Sequence, residues 1–209
     1  MDLDNRMNRK LRVFAAGCLH GDADLTRRLA NQAERAKADI VLISGDLTAN
    51  GKESRNILRP FKEKNQKVFF VTGNHEDISF GNFLAEYYKL KHLHGAYAFY
   101  DKLGLFGVSG AHIGVHSLSD EDTLEILESG FDKIKHLDKK IMVVHPHPFG
   151  SKMEQITGFE GSLAVRMAID KLQPDLVFCS HLHELQGFEE RIGKTKIINV
   201  SRIGRTIEI

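Results

Sequence analysis

Eight residues of the chain are suited by type to act together: Cys18, His20, Asp46, Asn74, His75, His145, His181 and His183. Each is a metal ligand or an acid–base group, and each follows on an apolar, β-like run. The stretch Lys67 to Glu76, KVFFVTGNHE, shows the grammar most clearly, because the run Val68 to Val71 stops abruptly in Thr72-Gly73-Asn74-His75-Glu76. Alternation along an extended chain sends Asn74 and His75 in opposite directions, so one can bind a metal while the other faces substrate. Taken singly, such a stretch is equally an ordinary strand-to-helix turn, since Gly and Asn tolerate left-handed backbone. Recurrence changes the balance. Leu11 to Ala16 ends in Gly17-Cys18-Leu19-His20, Ile40 to Ser44 in Gly45-Asp46, Lys140 to Val144 in His145-Pro146-His147-Pro148, and Asp175 to Cys179 in Ser180-His181-Leu182-His183. In Cys18-Leu19-His20 and His181-Leu182-His183 the i, i+2 spacing is expected to place both polar side chains on one face of an extended segment. Such a pair can chelate one ion or serve two neighbouring ones.

The elements that would carry these residues follow from local pattern. After the first strand, Asp22 caps a helix to about Ala36; after the second, a helix is expected over Glu53 to Glu63, interrupted by Pro60. Three strand, loop, helix units in succession predict a parallel sheet with right-handed crossovers, its loops gathered at the carboxyl ends of the strands. An amphipathic helix is expected between Phe80 and His92. From AYAFYDKLGLFGVSG, two short strands turning near Asp101-Lys102, the pairing is expected to become more antiparallel. Ser119 with Asp122 signals a helix to about Ile134. Another helix covers Gly161 to Leu172, and the tail reads as strands over 185–191, 195–200 and 205–209. The expected organisation is one α/β domain over residues 11–209 behind a frayed polar leader, residues 1–10.

Composition narrows the function classes. The 209 residues, 42% hydrophobic and 27% charged, suffice for one large domain with a substantial core. A net charge of +1, from 29 basic and 28 acidic residues, supplies no global field to gather nucleic acid or an anionic membrane, so neither partner is indicated. The basic stretch Arg55 to Lys67 has apolar residues at helical spacing and reads as a solvated helix face. No apolar run approaches a membrane span and the N-terminus lacks a hydrophobic segment, which makes the cytoplasm the expected location. The two cysteines, Cys18 and Cys179, in apolar contexts, fit a reducing compartment. Oligomeric state is not legible.

The ordered series resembles the calcineurin-type metallophosphoesterase family, whose pattern is Asp-x-His, Gly-Asp, Gly-Asn-His-Asp/Glu, His, and Gly-His-x-His. The match spans Gly17 to His183, and the order of the set is its specificity. The resemblance implies two mixed β-sheets packed as a sandwich flanked by helices, a four-layer α/β/β/α fold. It implies a phosphate-ester substrate and two divalent ions of manganese, zinc or iron. Cys18, His20, Asp46 and His183 would hold the first ion, and Asp46, Asn74, His145 and His181 the second. Asp46 would bridge them, a shared hydroxide would attack phosphorus in line, and His75, turned away from the metals, would protonate the leaving oxygen. Glu76 is expected to orient His75.

The sequence departs from the pattern twice. Ser180 replaces a usual Gly and is expected to be without consequence. Cys18 replaces a usual Asp: as a thiolate ligand it would bias the first site toward softer ions, and as a small buried hydrophobe it would leave that site a ligand short. The implied activity is phosphodiester hydrolysis ahead of monoester hydrolysis. The alternative is a catalytically weak or inactive member serving as a binding scaffold. Among the other histidines, His92, His94 and His136 are expected to be solvated, His112 and His116 to lie in a surface loop, with a substrate contact as the lesser alternative, and His147 to be either a support for the ligands or a substrate contact.

Overall fold

The computed structural model describes residues 10–50, 56–114 and 117–209. The expected leader up to residue 9, residues 53–55 of the second expected helix, and His116 lie outside the described residues. In chain order the strands are β1 (Arg12–Gly17), β2 (Ile40–Ser44), β3 (Val68–Val71), β4 (Lys91–His92), β5 (Tyr97–Tyr100), β6 (Leu103–Gly107), β7 (Lys139–Val143), β8 (Leu176–Cys179), β9 (Glu189–Ile192), β10 (Thr195–Asn199) and β11 (Arg205–Glu208). The helices are α1 (Ala23–Arg35), α2 (Arg59–Glu63), α3 (Ile78–Tyr88), α4 (Asp120–Asp132), α5 (Lys152–Thr157) and α6 (Leu163–Leu172).

The strands form two mixed sheets, ordered β11-β1-β2-β3-β4 and β5-β6-β7-β8-β10-β9. Strands β3 and β8 are apolar at every position, and β2 at every position before Ser44, because both of their faces are covered. In β2, Ile40 and Leu42 point between the sheets, while Val41 and Ile43 point toward α1, α2 and α3. In β8, Leu176 and Phe178 enter the same inter-sheet layer, and Val177 and Cys179 face α4, α5 and α6. Three apolar layers between four structural layers give the α/β/β/α sandwich. Among the described residues no helix is long and apolar enough to cross a membrane.

Several local expectations need correction. Pro60 does not interrupt a helix but stands in the first turn of α2, where its missing N–H would have had no partner. The helix expected to reach His92 stops at Lys89, in left-handed backbone, and Lys91–His92 becomes an edge strand beside β3. The second sheet is parallel through β6, β7, β8 and β10, with antiparallel pairs only at its margins. A short helix, α5, was not expected, although Ser151 caps it by accepting from the Glu154 N–H, a Ser-x-x-Glu start signal. The Asp22 and Ser119 caps form as expected.

Because β1, β2, β3, β7 and β8 run parallel within their sheets, their carboxyl ends deliver five loops. The two sheets meet there: the Ser180 hydroxyl after β8 donates to the Ser44 carbonyl at the end of β2.

Candidate metal centre

All eight residues singled out above lie on those five loops, but the backbone that brings them together is not extended. Cys18, His20, Asp46 and His181 have φ of 52°, 48°, 44° and 73°. His183 opens a 3-10 turn, His183–Leu185. Left-handed backbone costs a non-glycine residue roughly 1–3 kcal/mol, and such strain concentrates where side chains must be aimed. The i, i+2 pairs therefore converge through tight turns, not through strand alternation. Two glycines permit this: a Cβ on Gly45 (φ +66°) would lie 2.0 Å from His145 Nδ1, and one on Gly73 would lie 2.0 Å from Asp46 Oδ1.

One group of ligand atoms gathers around His145 Nε2. It lies 3.0 Å from Asn74 Oδ1, 3.1 Å from His181 Nδ1 and 3.1 Å from Asp46 Oδ2. With a neutral His145 ring, the protons available do not satisfy these contacts. Ser180 directs its hydroxyl proton at the Ser44 carbonyl and Ser44 directs its own at the Val144 carbonyl, so the Ser180 oxygen accepts from His145 Nδ1 at 2.9 Å. That leaves a bare lone pair on the neutral ring's Nε2, facing a carboxylate, an amide oxygen and a second imidazole. One cation would satisfy all four atoms at once. Ser180 is thus not an inert replacement for Gly; it sets the tautomer and the aim of His145.

A second group adjoins the first. His20 Nε2 is 3.1 Å from His183 Nε2 and 3.6 Å from Asp46 Oδ2. The ligand atoms of Cys18, His20 and His183 lie within 4.8 Å of one another, as do those of Cys18, Asp46 and His145, and of His20, Asp46 and His75. Asp46 Oδ2 therefore faces both groups. Burial would raise the Asp46 carboxyl, but the His145, His75 and His20 rings around it hold it well below the usual carboxylate range. Burial lowers His20 to about 4 and His181 to about 3, so both rings are neutral donors of lone pairs at ordinary pH. Cys18 is fully buried, and burial together with the Asp46 charge pushes its thiol up to about 12. The His181 N–H nevertheless points at its Sγ, 3.2 Å away, and Ser201 Oγ lies 3.7 Å from it. A nearby cation would offset the cost of a thiolate there. The donor set of imidazoles, one carboxylate, one amide oxygen and one sulfur suits a transition ion or zinc better than magnesium.

His75 does not turn away from this cluster. Its ring stands edge-on to His20 with centroids 4.8 Å apart, and its Nε2 is 3.9 Å from Asp46 Oδ2. The Asn50 N–H donates to His75 Nδ1, which leaves the proton of the neutral ring on Nε2, the atom that faces the cluster. Glu76 has no part in orienting it. One Glu76 oxygen accepts from the Thr48 N–H and hydroxyl at 2.6 and 2.7 Å and the other from the Gly73 N–H, so this buried carboxylate ties the Asp46 loop to the Asn74 loop.

The expected solvation of His92 is overturned, and His94 is half-buried. His92 stacks on Phe70 and bonds Asn82 Oδ1 through Nδ1 and Ser109 Oγ through Nε2. Ser109 Oγ accepts the Thr72 N–H, and the Ser109 N–H donates to His94 Nδ1. This chain steadies the loop that presents Asn74 and His75. Only His136 is exposed as expected. His147 is fully buried, with Nε2 bonded to the Phe159 carbonyl at 3.1 Å. Nothing in the sequence marked Ser44, Thr48, Ser109 or Ser201; the Ser180 exchange was the one visible signal for this supporting shell.

Comparison with known proteins agrees with this architecture. The family model described as calcineurin-like phosphoesterase matches residues 11–185. The fold is shared with TT1561 of Thermus thermophilus, at TM-score 0.75 and 17% identity over 95% of this chain and 99% of that one. It is shared with a dimetal phosphatase from Danio rerio, at TM-score 0.60 and 10% identity over 92% and 87%. A structure titled as a novel archaeal phosphodiesterase aligns at TM-score 0.54 and 13% identity over 95% and 100%. No curated protein was found to match the chain by sequence.

Proposed function

The chain belongs to the calcineurin-like phosphoesterase family, and from that membership we propose that it hydrolyses phosphodiesters with two divalent ions held side by side. The observation that carries the reading is the position of Asp46 Oδ2, 3.1 Å from one imidazole group and 3.6 Å from the other. A carboxylate so placed would serve two adjoining ions, of which Cys18, His20 and His183 would hold one and Asn74, His145 and His181 the other. When bound, the ions supply Lewis acidity toward a phosphoryl oxygen and a water nucleophile at neutral pH. His75 holds a proton on Nε2 at the edge of the cluster and delivers it to the leaving alkoxide. Asn50 keeps that tautomer by occupying Nδ1. Ser180 and Glu76 hold His145 and the two loops in register, and the site is assembled within residues 11–209 acting as one domain. Two free, buried cysteines fit a reducing compartment and support a cytoplasmic location.

The test is hydrolysis of bis-p-nitrophenyl phosphate by metal-stripped protein given manganese, zinc or iron in turn, with His75→Ala alongside. Metal-dependent turnover that falls at least about a hundredfold in the variant is expected. A folded protein without turnover on this ester under any ion would remove the phosphodiesterase reading; p-nitrophenyl phosphate then tests monoester hydrolysis, and inactivity on both leaves the binding scaffold.

A further inference from the structure

The net charge of +1 conceals a local excess of one sign. At the amino ends of β3 and β4, the end of the first sheet opposite the metal centre, a cleft of about 350 Å³ is lined by Lys62, Asn65, Gln66, Lys67, Lys89 and Lys91 along with the start of β3, and by no carboxylate. The nearest acids of α1 and α2 are engaged elsewhere, Glu63 with Arg59 at 2.7 Å and Glu34 with Lys64 at 2.6 Å. Among the described residues none of the four cleft lysines has an ion-pair partner, and all four are exposed. Lys67 lies over the Tyr100 ring, 4.6 Å from its centroid. A concave surface of one sign focuses its field on anions, and four separate ammonium groups around it suit a run of phosphates better than one compact ion.

A ridge of aromatic rings joins this cleft to the metal centre. Helix α3 begins at Ile78, just after the loop that carries His75, and its 11 residues, about 16 Å of helix, end at Tyr88 beside Lys89. Along it Phe80 and Phe83 have ring centroids 6.3 Å apart, and Phe83 and Tyr87 are stacked at 5.7 Å. Phe83 is 56% exposed and Tyr87 68%, so both rings can be reached from solvent. The helix holds a single acid, Glu86. Exposed rings beside a cationic groove bind unpaired bases by stacking while the lysines take the backbone; a duplex keeps its bases covered, and an inorganic polyanion has nothing to stack. We propose that α3 and the lysine cleft bind a single strand of nucleic acid, with phosphates on Lys62, Lys67, Lys89 and Lys91 and bases on Phe83 and Tyr87. The strand so held runs toward His75, which makes the substrate an oligonucleotide.

The substrate assignment rests on the phosphodiesterase reading, whereas binding is read without turnover. Fluorescence anisotropy follows a labelled oligothymidylate of about twelve nucleotides added to the full chain in chelator, so that no hydrolysis intervenes. Affinity should fall with salt at a slope of about −3 in log K against log concentration when all four lysines meet phosphates, and Lys89→Ala with Lys91→Ala should about halve that slope. Phe83→Leu and Tyr87→Leu should each weaken binding at least about fivefold and leave the slope unchanged. All of these side chains are exposed, and unchanged unfolding curves check that the variants fold. No binding at low salt, equal affinity for a blunt duplex or for inorganic polyphosphate, or ring substitutions without effect would each overturn the strand surface and leave the phosphodiesterase reading standing. With manganese, zinc or iron then added in turn, the wild-type protein should shorten the strand. A bound strand left intact while bis-p-nitrophenyl phosphate is hydrolysed overturns the substrate assignment alone, and inactivity on both overturns the phosphodiesterase reading with it.

Discussion

Replacing Ser180 by Ala removes a single oxygen that no solvent reaches and that touches no proposed ion. It takes away the acceptor of the His145 Nδ1–H and the donor to the Ser44 carbonyl. His145 is itself fully buried, so its N–H cannot turn to water. One stranded donor at this depth costs about 1–3 kcal/mol. The same loss frees the ring to tip or to move its proton to Nε2, the atom aimed at the cluster. Substitution of a group that orients a ligating histidine typically weakens metal binding about 10–100-fold, or about 1.4–2.7 kcal/mol. Denaturant unfolding of the metal-free Ser180→Ala protein should therefore show stability lower by about 1–3 kcal/mol at unchanged m, and calorimetric titration with zinc or manganese should show the stated loss of affinity. If zinc and manganese bound the variant within about twofold of wild type, the argument that Ser180 fixes the His145 tautomer would be refuted, whatever happened to stability.

Cys18→Asp is expected to shift metal selectivity toward manganese and away from zinc in competition assays read by elemental analysis, because the sulfur is the soft donor of the set; unchanged selectivity would mean that the thiol does not ligate. His92 is lowered to about 4 by burial and then by His94, so the unfolded chain binds its proton first as pH falls below the ordinary value of 6.5. Its contribution is complete above that pH and is lost as pH falls to about 4, up to about 3 kcal/mol in all. In chelator, His92→Gln should flatten the rise of unfolding free energy across that window, and parallel curves for the two proteins would contradict the assignment. Gly45→Ala should abolish tight metal binding, since its Cβ would meet the His145 ring in backbone that already favours glycine; titration with zinc measures it directly. Glu76→Ala removes the buried acceptor shared by the Thr48 and Gly73 N–H groups and should cost about 2 kcal/mol or more by thermal or denaturant unfolding.

The positions of the candidate ligands were legible in the sequence because each ends an apolar run, and a run buried on both faces announces its own boundary. It did not show how they are aimed. Period-two alternation describes the strand and ceases to apply at the first residue of the loop, where Cys18, His20, Asp46 and His181 turn left-handed. Tertiary partners were likewise invisible. Glu76 adjoins His75 in sequence, yet its oxygens belong to Thr48 and Gly73. His92 sits in KLKHLHG, a context that reads as solvated, and is drawn inside because a strand of two residues pairs with β3, too short for any pattern to register. The four-layer architecture followed from the motif order, whereas the parallel run β6-β7-β8-β10 depended on crossovers that no local signal specifies.

The path of the chain after β10 bears on when this centre can come into being. The chain leaves the second sheet at Asn199, crosses beneath the cluster with a bridge from Ser201 to Gly17, and joins the first sheet as β11 against β1. Ser201 lies 183 residues after Cys18, whose sulfur it touches. During synthesis Cys18 therefore emerges long before the segment that closes over it, and so does the edge of β1 that β11 will cover. Contacts of such separation form late and slowly. Until they do, the thiol that ends up buried is open to the surrounding redox environment, and His20 and Asp46 lack the candidate ligands that later loops deliver. If the cluster holds an ion, its full donor set exists only once the sandwich has closed.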